Sequence, residues 1–342
     1  MLNPILSEGE CSLLRSLIDG ADSIVLCVHQ NPDGDAMGSM LGMGEALRML
    51  GKDPLMVVPD QFPDYLHWLP NSEKVVRYDK RKDFVDTVLK IADLVICLDF
   101  NTPSRTDEMA AALCASPAKK VLIDHHPGPE VDTVLCISHP EMSSASELVF
   151  RVIWQLGLFD RLGQHYAVPV YCGMMTDTGG FTFNSNDPDI FFIISQLLTK
   201  RIDKDKIYRN VYYSYTESRL RLMGYLMYEK LEYFPEEHVA MFALTEEEMK
   251  RFNFIRGDAE GFVNLPLQIK GTRLSISLRE DTEKPVVRVS LRSVGDFPCN
   301  EMAERFFNGG GHLNAAGGWL PKPIDSAVLT ARQAIKSLSK KE

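Results

Sequence analysis

The chain has 342 residues, 45% of them hydrophobic and 25% charged, and a formal net charge of −10. That length accommodates two domains with substantial cores, and the composition is that of a globular protein. The acidic balance argues against tight, sequence-independent binding of long duplex nucleic acid, which needs a broad basic surface, but leaves room for a small anionic ligand.

The first twenty residues, MLNPILSEGECSLLRSLIDG, carry acids and lack a basic start followed by an apolar stretch, so they do not read as a signal peptide. SIVLCV (23–28) predicts a buried strand, and 35–52 has helical apolar spacing with Gly51 as its stop. PLMVV (54–58) predicts a second strand and RKDFVDTVLKIA (81–92) a helix. LVICLDF (94–100) and KKVLIDHH (119–126) are strands that end in acid or histidine. SSASELVFRVIWQLG (143–157) opens on serine capping signals and continues as an amphipathic helix. The apolar stretch AVPVYCGMM, just ahead of Asp177, counts here as one more segment delivering an acid to a strand end. Beyond a connecting region come the strands VAMFAL (239–244), LSISLRE (274–280) and VVRVSLRS (286–293), with NEMAERFF as a short helix. The expected fold is therefore α/β: an N-terminal, mainly parallel sheet with helices on both faces (1–195), a helical linker (196–230) and a smaller α/β domain (231–342). No apolar run approaches the ~20 residues of a membrane span. Seven cysteines, an odd number without a CxxC pair, read as reduced core thiols of a cytoplasmic protein.

Residues 28–40 read VHQNPDGDAMGSM. NPDGD by itself is an ordinary turn signal, an aspartate ending a strand is often a helix cap, and TDTGGF can be a plain glycine turn. Their joint placement is harder to explain that way. In open α/β sheets, sites form beyond the carboxyl ends of the strands. His29, Asp33, Asp35, Asp99, His125 and Asp177 would converge there. Mixed carboxylate and imidazole ligands suit Mn²⁺, Zn²⁺ or Fe²⁺ better than Ca²⁺. Two such ions, about 3.5–4 Å apart, can share a carboxylate and activate a water for attack on phosphorus.

HQNPDGDAMGS, LDF, DHH and TDTGGF, in that order, resemble the four motifs of the DHH phosphoesterase family, and VSLRS with NGGGHLNAAGG (308–318) resembles the associated DHHA1 substrate domain. The resemblance covers nearly the whole chain and is nearest to the nanoRNase and 3′-phosphoadenosine 5′-phosphate (pAp) phosphatase subgroup, whose members often carry the label exopolyphosphatase-related. It implies two divalent ions, by preference Mn²⁺. His29 and Asp33 would hold one, Asp35, His125 and Asp177 the other, and Asp99 both. His126 would contact the scissile phosphate and help protonate the leaving group, with Asp124 orienting the histidines. Arg292, Gly309, Gly310, Gly311 and His312 would grip the far phosphate or base of the substrate, and Arg105 is a further substrate-contact candidate. Read on its own, GGG is as much a flexible turn as an anion cradle. The four arginines Arg273, Arg279, Arg288 and Arg292 do not choose between substrates, although Arg288 and Arg292 should share a strand face.

The leading expectation is hydrolysis of short single-stranded oligoribonucleotides and linear dinucleotides to 5′-mononucleotides, or removal of the 3′-phosphate of pAp, with the second domain closing a cleft around short substrates. An exopolyphosphatase or pyrophosphatase would use the same ligands without needing a base. A non-catalytic nucleotide-binding regulator would be expected to lack a ligand, and none is lacking. A structural zinc protein would favour thiolates. No membrane association is expected, and the oligomeric state, a homodimer included, stays open.

Overall fold

The computed structural model describes residues 2–213, 215–255 and 257–338. The chain divides into two compact units, Met1–Ser214 and Tyr215–Glu342. The segment 196–230 spans that division.

The first unit runs α1 (Glu8–Asp19), β1 (Ile24–Cys27), α2 (Gly34–Met49), β2 (Leu55–Val58), β3 (Val76–Arg77), α3 (Tyr78–Ile91), β4 (Leu94–Leu98), α4 (Ala110–Ala115), β5 (Lys119–Asp124), β6 (Leu135–Ser138), α5 (Ala145–Gln155), α6 (Gln164–Asp177), α7 (Pro188–Thr199) and α8 (Lys204–Tyr212). Among the described residues, six strands form an all-parallel sheet in the order β3-β2-β1-β4-β5-β6. Strand direction and chirality account for the two covered faces. Along β1, Ile24 and Leu26 enter the core shared with α2, α5 and α6, while Val25 and Cys27 enter the core shared with α3 and α4. The order reverses between β1 and β4, and a doubly wound sheet opens a crevice at the carboxyl ends of the strands on either side of that reversal.

One expectation is corrected. AVPVYCGMM is not a strand-like run but the middle of α6, with Pro169 inside the helix and Asp177 at its last position. A continuous apolar run does not distinguish a buried strand from a helix buried all round, and Pro169 argues against helix only when neighbours do not hold the segment. Here α2 holds it. A Cβ on Gly38 would lie 2.5 Å from the Pro169 carbonyl oxygen and 2.9 Å from Gly173 Cα, so the two helices touch through their backbones.

The second unit runs α9 (Glu217–Tyr225), a π-helical turn (Leu226–Lys230), β7 (Glu232–Phe234), β8 (Val239–Leu244), α10 (Glu246–Arg251), β9 (Leu274–Glu280), β10 (Val286–Ser293), α11 (Cys299–Phe306), β11 (Gly310–His312), β12 (Ala315–Pro321) and α12 (Ile324–Lys336). Its sheet has the order β11-β12-β10-β9-β8-β7, antiparallel except for the β8–β9 pair. Helices α11 and α12 cover one face. On the other face α9, with Phe262 and Met249, packs on Phe242 and Leu244 of β8. Among the described residues, no helix of either unit is long and apolar enough to cross a membrane.

A candidate metal centre at the sheet crossover

His29 follows β1 and Asp99 follows β4, the two strands that flank the reversal of strand order. Asp99 adopts φ 62°, in the left-handed region. Aspartate tolerates that region better than most residues, and such a conformation is retained where surrounding structure imposes it. The Asp99 amide is tied across to the Ile123 carbonyl (3.1 Å), which fixes the turn against β5.

The carboxylate of Asp99 divides its oxygens between two imidazoles. Oδ2 lies 3.4 Å from His29 Nε2, and Oδ1 lies 3.5 Å from His125 Nε2. Around the first imidazole, Asp33 Oδ1 stands 3.8 Å away. Around the second, Asp35 Oδ2 and Asp177 Oδ2 stand at 3.9 and 3.6 Å. His29, Asp33 and Asp99 form one set of atoms close enough to share an ion, and Asp35, His125 and Asp177 form another. The six residues predicted as ligands thus lie together around Asp99.

Each side chain is oriented from behind. His29 Nδ1 lies 2.7 Å from the Gln30 carbonyl, and His125 Nδ1 lies 3.3 Å from that of Met142, so each ring can donate there and turn Nε2 inward. Asp33 caps α2, accepting from the amides of Asp35 and Ala36 at 3.0 Å. Asp35 is seated by the N-terminus of α5, whose Ala145 and Ser146 amides donate to it at 2.6 and 2.8 Å. Sequence reading recognised the serine caps but not that α5 serves Asp35. Only the tertiary contact reveals it. His126 Nδ1 sits 2.7 Å from Asp124 Oδ1. Asp124 is fully buried, and its Oδ2 has no hydrogen-bond partner in the structure. Arg105 is half-buried in the 3₁₀ turn Pro103–Met109, and its carbonyl accepts from the Gln30 amide at 2.7 Å.

The electrostatics are those of a site built for cations. Burial would lower the His125 pKa, but the hydrogen bond to Asp99 and the charges of Asp177, Asp99 and Asp35 hold it well above the usual imidazole range. His29 is raised in the same way: burial opposes, Asp99 and Asp33 prevail, and the Arg105 charge works against them. Burial would raise Asp99, yet its hydrogen bonds to His125 and His29 and the charges of His29 and His126 hold it well below the carboxylate range. Asp35 goes the other way, pushed well up by burial and by the charges of Asp99 and Asp177. A buried cluster of this sign, with mixed nitrogen and oxygen donors, fits divalent cations.

A pH dependence follows. The folded protein without metal binds protons at His29 and His125 more tightly than the unfolded chain does. Their stabilising share is complete below the ordinary imidazole value of 6.5 and is lost as pH rises through the raised values. The share of Asp99 is present above its ordinary 3.8 and is lost only as pH falls to its depressed value. Cations displace the imidazole protons. The gap in melting temperature between loaded and metal-free protein should therefore widen as pH rises through the neutral range. A gap that stays flat would contradict the assignment of these imidazoles as ligands.

Fold and site together present a parallel sheet with a candidate divalent-cation centre at its strand ends. The DHH family N-terminal domain matches residues 23–174 and the DHHA1 domain residues 238–341; the chain belongs to the DHH family. It is 48% identical to an exopolyphosphatase-related protein from Bacteroides fragilis, whose crystal structure superposes with a TM-score of 0.94 over 98% of each chain. It is 29% identical to the bifunctional oligoribonuclease and PAP phosphatase NrnA of Thermus thermophilus, covering 92% of this chain and 89% of that one. Its identity to the protein of the same name in Bacillus subtilis is 25%, over 86% and 88%.

In the second unit, Gly310–His312 is a strand rather than a loose turn. A Cβ on Gly309 would lie 1.8 Å from the Gly317 carbonyl oxygen, and one on Gly311 2.5 Å from that of Ala315. Glycine is required at both positions by the neighbouring strand itself. Arg292 and Arg288 share a face of β10, whereas Arg273 pairs with Asp296 at 3.3 Å.

Gly173 supplies another prediction. A Cβ there would lie 2.0 Å from Ser146 Oγ and 3.0 Å from Asp35 Oδ1. Gly173→Ala should disturb the seat of Asp35 and weaken binding at that ion position by about 10- to 100-fold, the range for changes behind a ligand. Ser146→Gly, which removes the clashing atoms, should restore part of the loss. Mn²⁺ titration followed by electron paramagnetic resonance distinguishes one weakened position from two. Unchanged affinity in Gly173→Ala would refute the coupling.

Proposed function

We propose that the protein hydrolyses short single-stranded oligoribonucleotides and linear dinucleotides to 5′-mononucleotides, and that it removes the 3′-phosphate of pAp at the same centre. The observation that carries this reading is the Asp99 carboxylate, whose two oxygens face two different imidazoles, each with its own carboxylates. The names of the Thermus and Bacillus relatives support the substrate class. His29 and Asp33 would hold one ion, Asp35, His125 and Asp177 the other, and Asp99 both, with Mn²⁺ suited to the mixed donors. Bound there, the two cations supply Lewis acidity that favours ionisation of an attacking water and offsets phosphate charge.

The chain's own groups do the rest. Asp124 holds Nδ1 of His126, leaving Nε2 to meet the phosphate and give a proton to the departing ribose oxygen. The water gives up a proton to solvent and its oxygen bonds to phosphorus, the P–O ester bond breaks, and the leaving oxygen takes the His126 proton, which the ring regains from solvent. Asp124→Asn should lower kcat by about 10- to 100-fold while leaving ion binding intact; a fall in ion affinity as large as the fall in kcat would reassign Asp124. Arg105, whose charge reaches His29, is proposed to contact the substrate phosphate, and Arg292, Gly309, Gly310, Gly311 and His312 to hold the non-scissile part. The seven free cysteines support a reducing, cytoplasmic setting.

The name of the Bacteroides relative favours a second reading, polyphosphate hydrolysis. Mn²⁺-loaded protein offered an RNA dinucleotide, pAp and inorganic polyphosphate side by side separates the two. Faster turnover of the dinucleotide or pAp supports the first, faster turnover of polyphosphate the second, and no turnover of any removes both.

A further inference from the structure

The two imidazoles that face Asp99 are backed in the same way. The His29 ring donates from Nδ1 to the Gln30 carbonyl at 2.7 Å. The other end of that peptide unit, the Asn31 amide, donates to Asp60 Oδ1 at 2.6 Å. The His125 Nδ1 stands 3.3 Å from the Met142 carbonyl, and the amide of the same peptide unit, that of Ser143, donates to Glu147 Oε2 at 2.9 Å. Each imidazole is therefore connected to a carboxylate through one peptide group. A carbonyl oxygen carries no proton, so both rings hold theirs on Nδ1 and turn the Nε2 lone pair toward Asp99.

The carboxylates come from outside the ligand set. Asp60 is half-buried just beyond β2, where the Pro59 carbonyl accepts from the Asp79 amide at 3.1 Å. Glu147 is buried in the first turn of α5 and held by Arg151. Asn31 has φ 52°, in the left-handed region, and its bond to Asp60 ties down the turn that leads from His29 to Asp33. A peptide bond is a planar, conjugated unit. An anion that accepts from its N–H pushes electron density toward its carbonyl oxygen, which then accepts more strongly from the ring. Chained hydrogen bonds reinforce one another in this way, and bonds to ionised groups are the stronger kind. A ring whose Nδ1 proton is held more strongly is a better ligand through Nε2.

We propose that Asp60 and Glu147 are positioning residues, each acting through a peptide group to fix one imidazole and strengthen it as an ion ligand, Asp60 for His29 and Glu147 for His125. This rests on the ligand assignment proposed above. The bonds of the Asp60 chain are the shorter ones, so its effect should be the larger. Among the described residues, neither carboxylate belongs to a cluster that could hold an ion. A loss on substitution therefore reports on the imidazole rather than on a missing ligand.

The test is Mn²⁺ titration of the full chain followed by electron paramagnetic resonance, together with proton–nitrogen spectra of the histidine rings in Zn²⁺-loaded protein. Asp60→Ala should weaken one ion position by about tenfold and leave the other unchanged. Its His29 Nδ1–H resonance should move upfield while that of His125 stays. Asp60→Asn keeps an acceptor oxygen, and so the turn, without the charge; it should fall between Asp60→Ala and the parent in both readouts. Glu147→Gln combined with Arg151→Met should do the reverse, moving the His125 resonance and leaving that of His29. Unchanged ion affinity in Asp60→Ala, or a His29 resonance that does not move, would overturn the role of Asp60 with the metal centre intact. Equal weakening of both positions would mean a general loosening of the loops and would overturn it as well. A parent that binds no ion removes the ligand assignment itself, and the positioning role with it.

Discussion

Asp99→Ala should reduce hydrolysis of every substrate by more than about three orders of magnitude. Loss of a single electrostatic contact to a transition state costs about 10²- to 10³-fold, and Asp99 belongs to both halves of the centre through separate oxygens. Its removal also leaves the His29 and His125 rings without the group that faces both. The variant should therefore bind fewer ions, which elemental analysis of the dialysed protein would count. Asp99→Asn makes the stricter comparison, because it keeps the shape and tolerates the left-handed backbone. If Asp99→Asn keeps both ions and more than about a tenth of the activity, a shared carboxylate is not the basis of catalysis.

Arg151→Ala should be among the most destabilising substitutions outside the centre. Glu147 and Arg151 are both buried, and their Oε1–Nε distance is 2.8 Å. The same arginine reaches Asp189 at 3.2 Å, while the amide and hydroxyl of Ser143 donate to the other Glu147 oxygen at 2.9 and 2.6 Å. Removing one member of such a pair strands the other charge without water, at a cost of about 3–5 kcal/mol. For a unit of this size that corresponds to a fall in melting temperature of roughly 6–20 °C. Glu147 also lies in the first turn of α5, beside the amides that seat Asp35. Ion affinity should therefore fall together with stability, and Glu147→Gln combined with Arg151→Met should recover much of the stability. A shift below about 3 °C in Arg151→Ala would mean that water reaches the stranded carboxylate.

The candidate site was more legible in the chain than the scaffold that aligns it. His29, Asp33 and Asp35 announce themselves by spacing, and Asp99, Asp124, His125 and His126 by following apolar runs that read as strands. Strand-end chemistry is local, so local pattern finds it. Asp177 was singled out beside the wrong kind of element, because a helix buried on all sides has no polar stripe to betray its period. The seat of Asp35 on α5, the glycine contacts of α2 with α6 and the Glu147–Arg151 pair were not legible. Each joins segments far apart in the chain, and nothing in either segment alone marks the other. The edge strands β3 and β6 were missed because neither carries the continuous apolar run that marks the buried central strands.

The backbone contact between α2 and α6 bears on how the protein is made. During synthesis α2 leaves the ribosome ahead of α6, with Gly34, Gly38 and Gly42 along the face that will meet Thr176, Pro169 and Val170. The surface that fits this face does not exist until α6 has been translated, more than a hundred residues later. Until then β1 can pair with β2 and β4, and β4 with β5, but the glycine face of α2 stays uncovered and the acids at its N-terminus lack Asp177. A nascent first unit therefore spends much of its synthesis as a half-covered sheet, the kind of intermediate that invites chaperone binding or aggregation. Closure of α6 onto α2 completes the core and brings Asp177 beside His125 in one step.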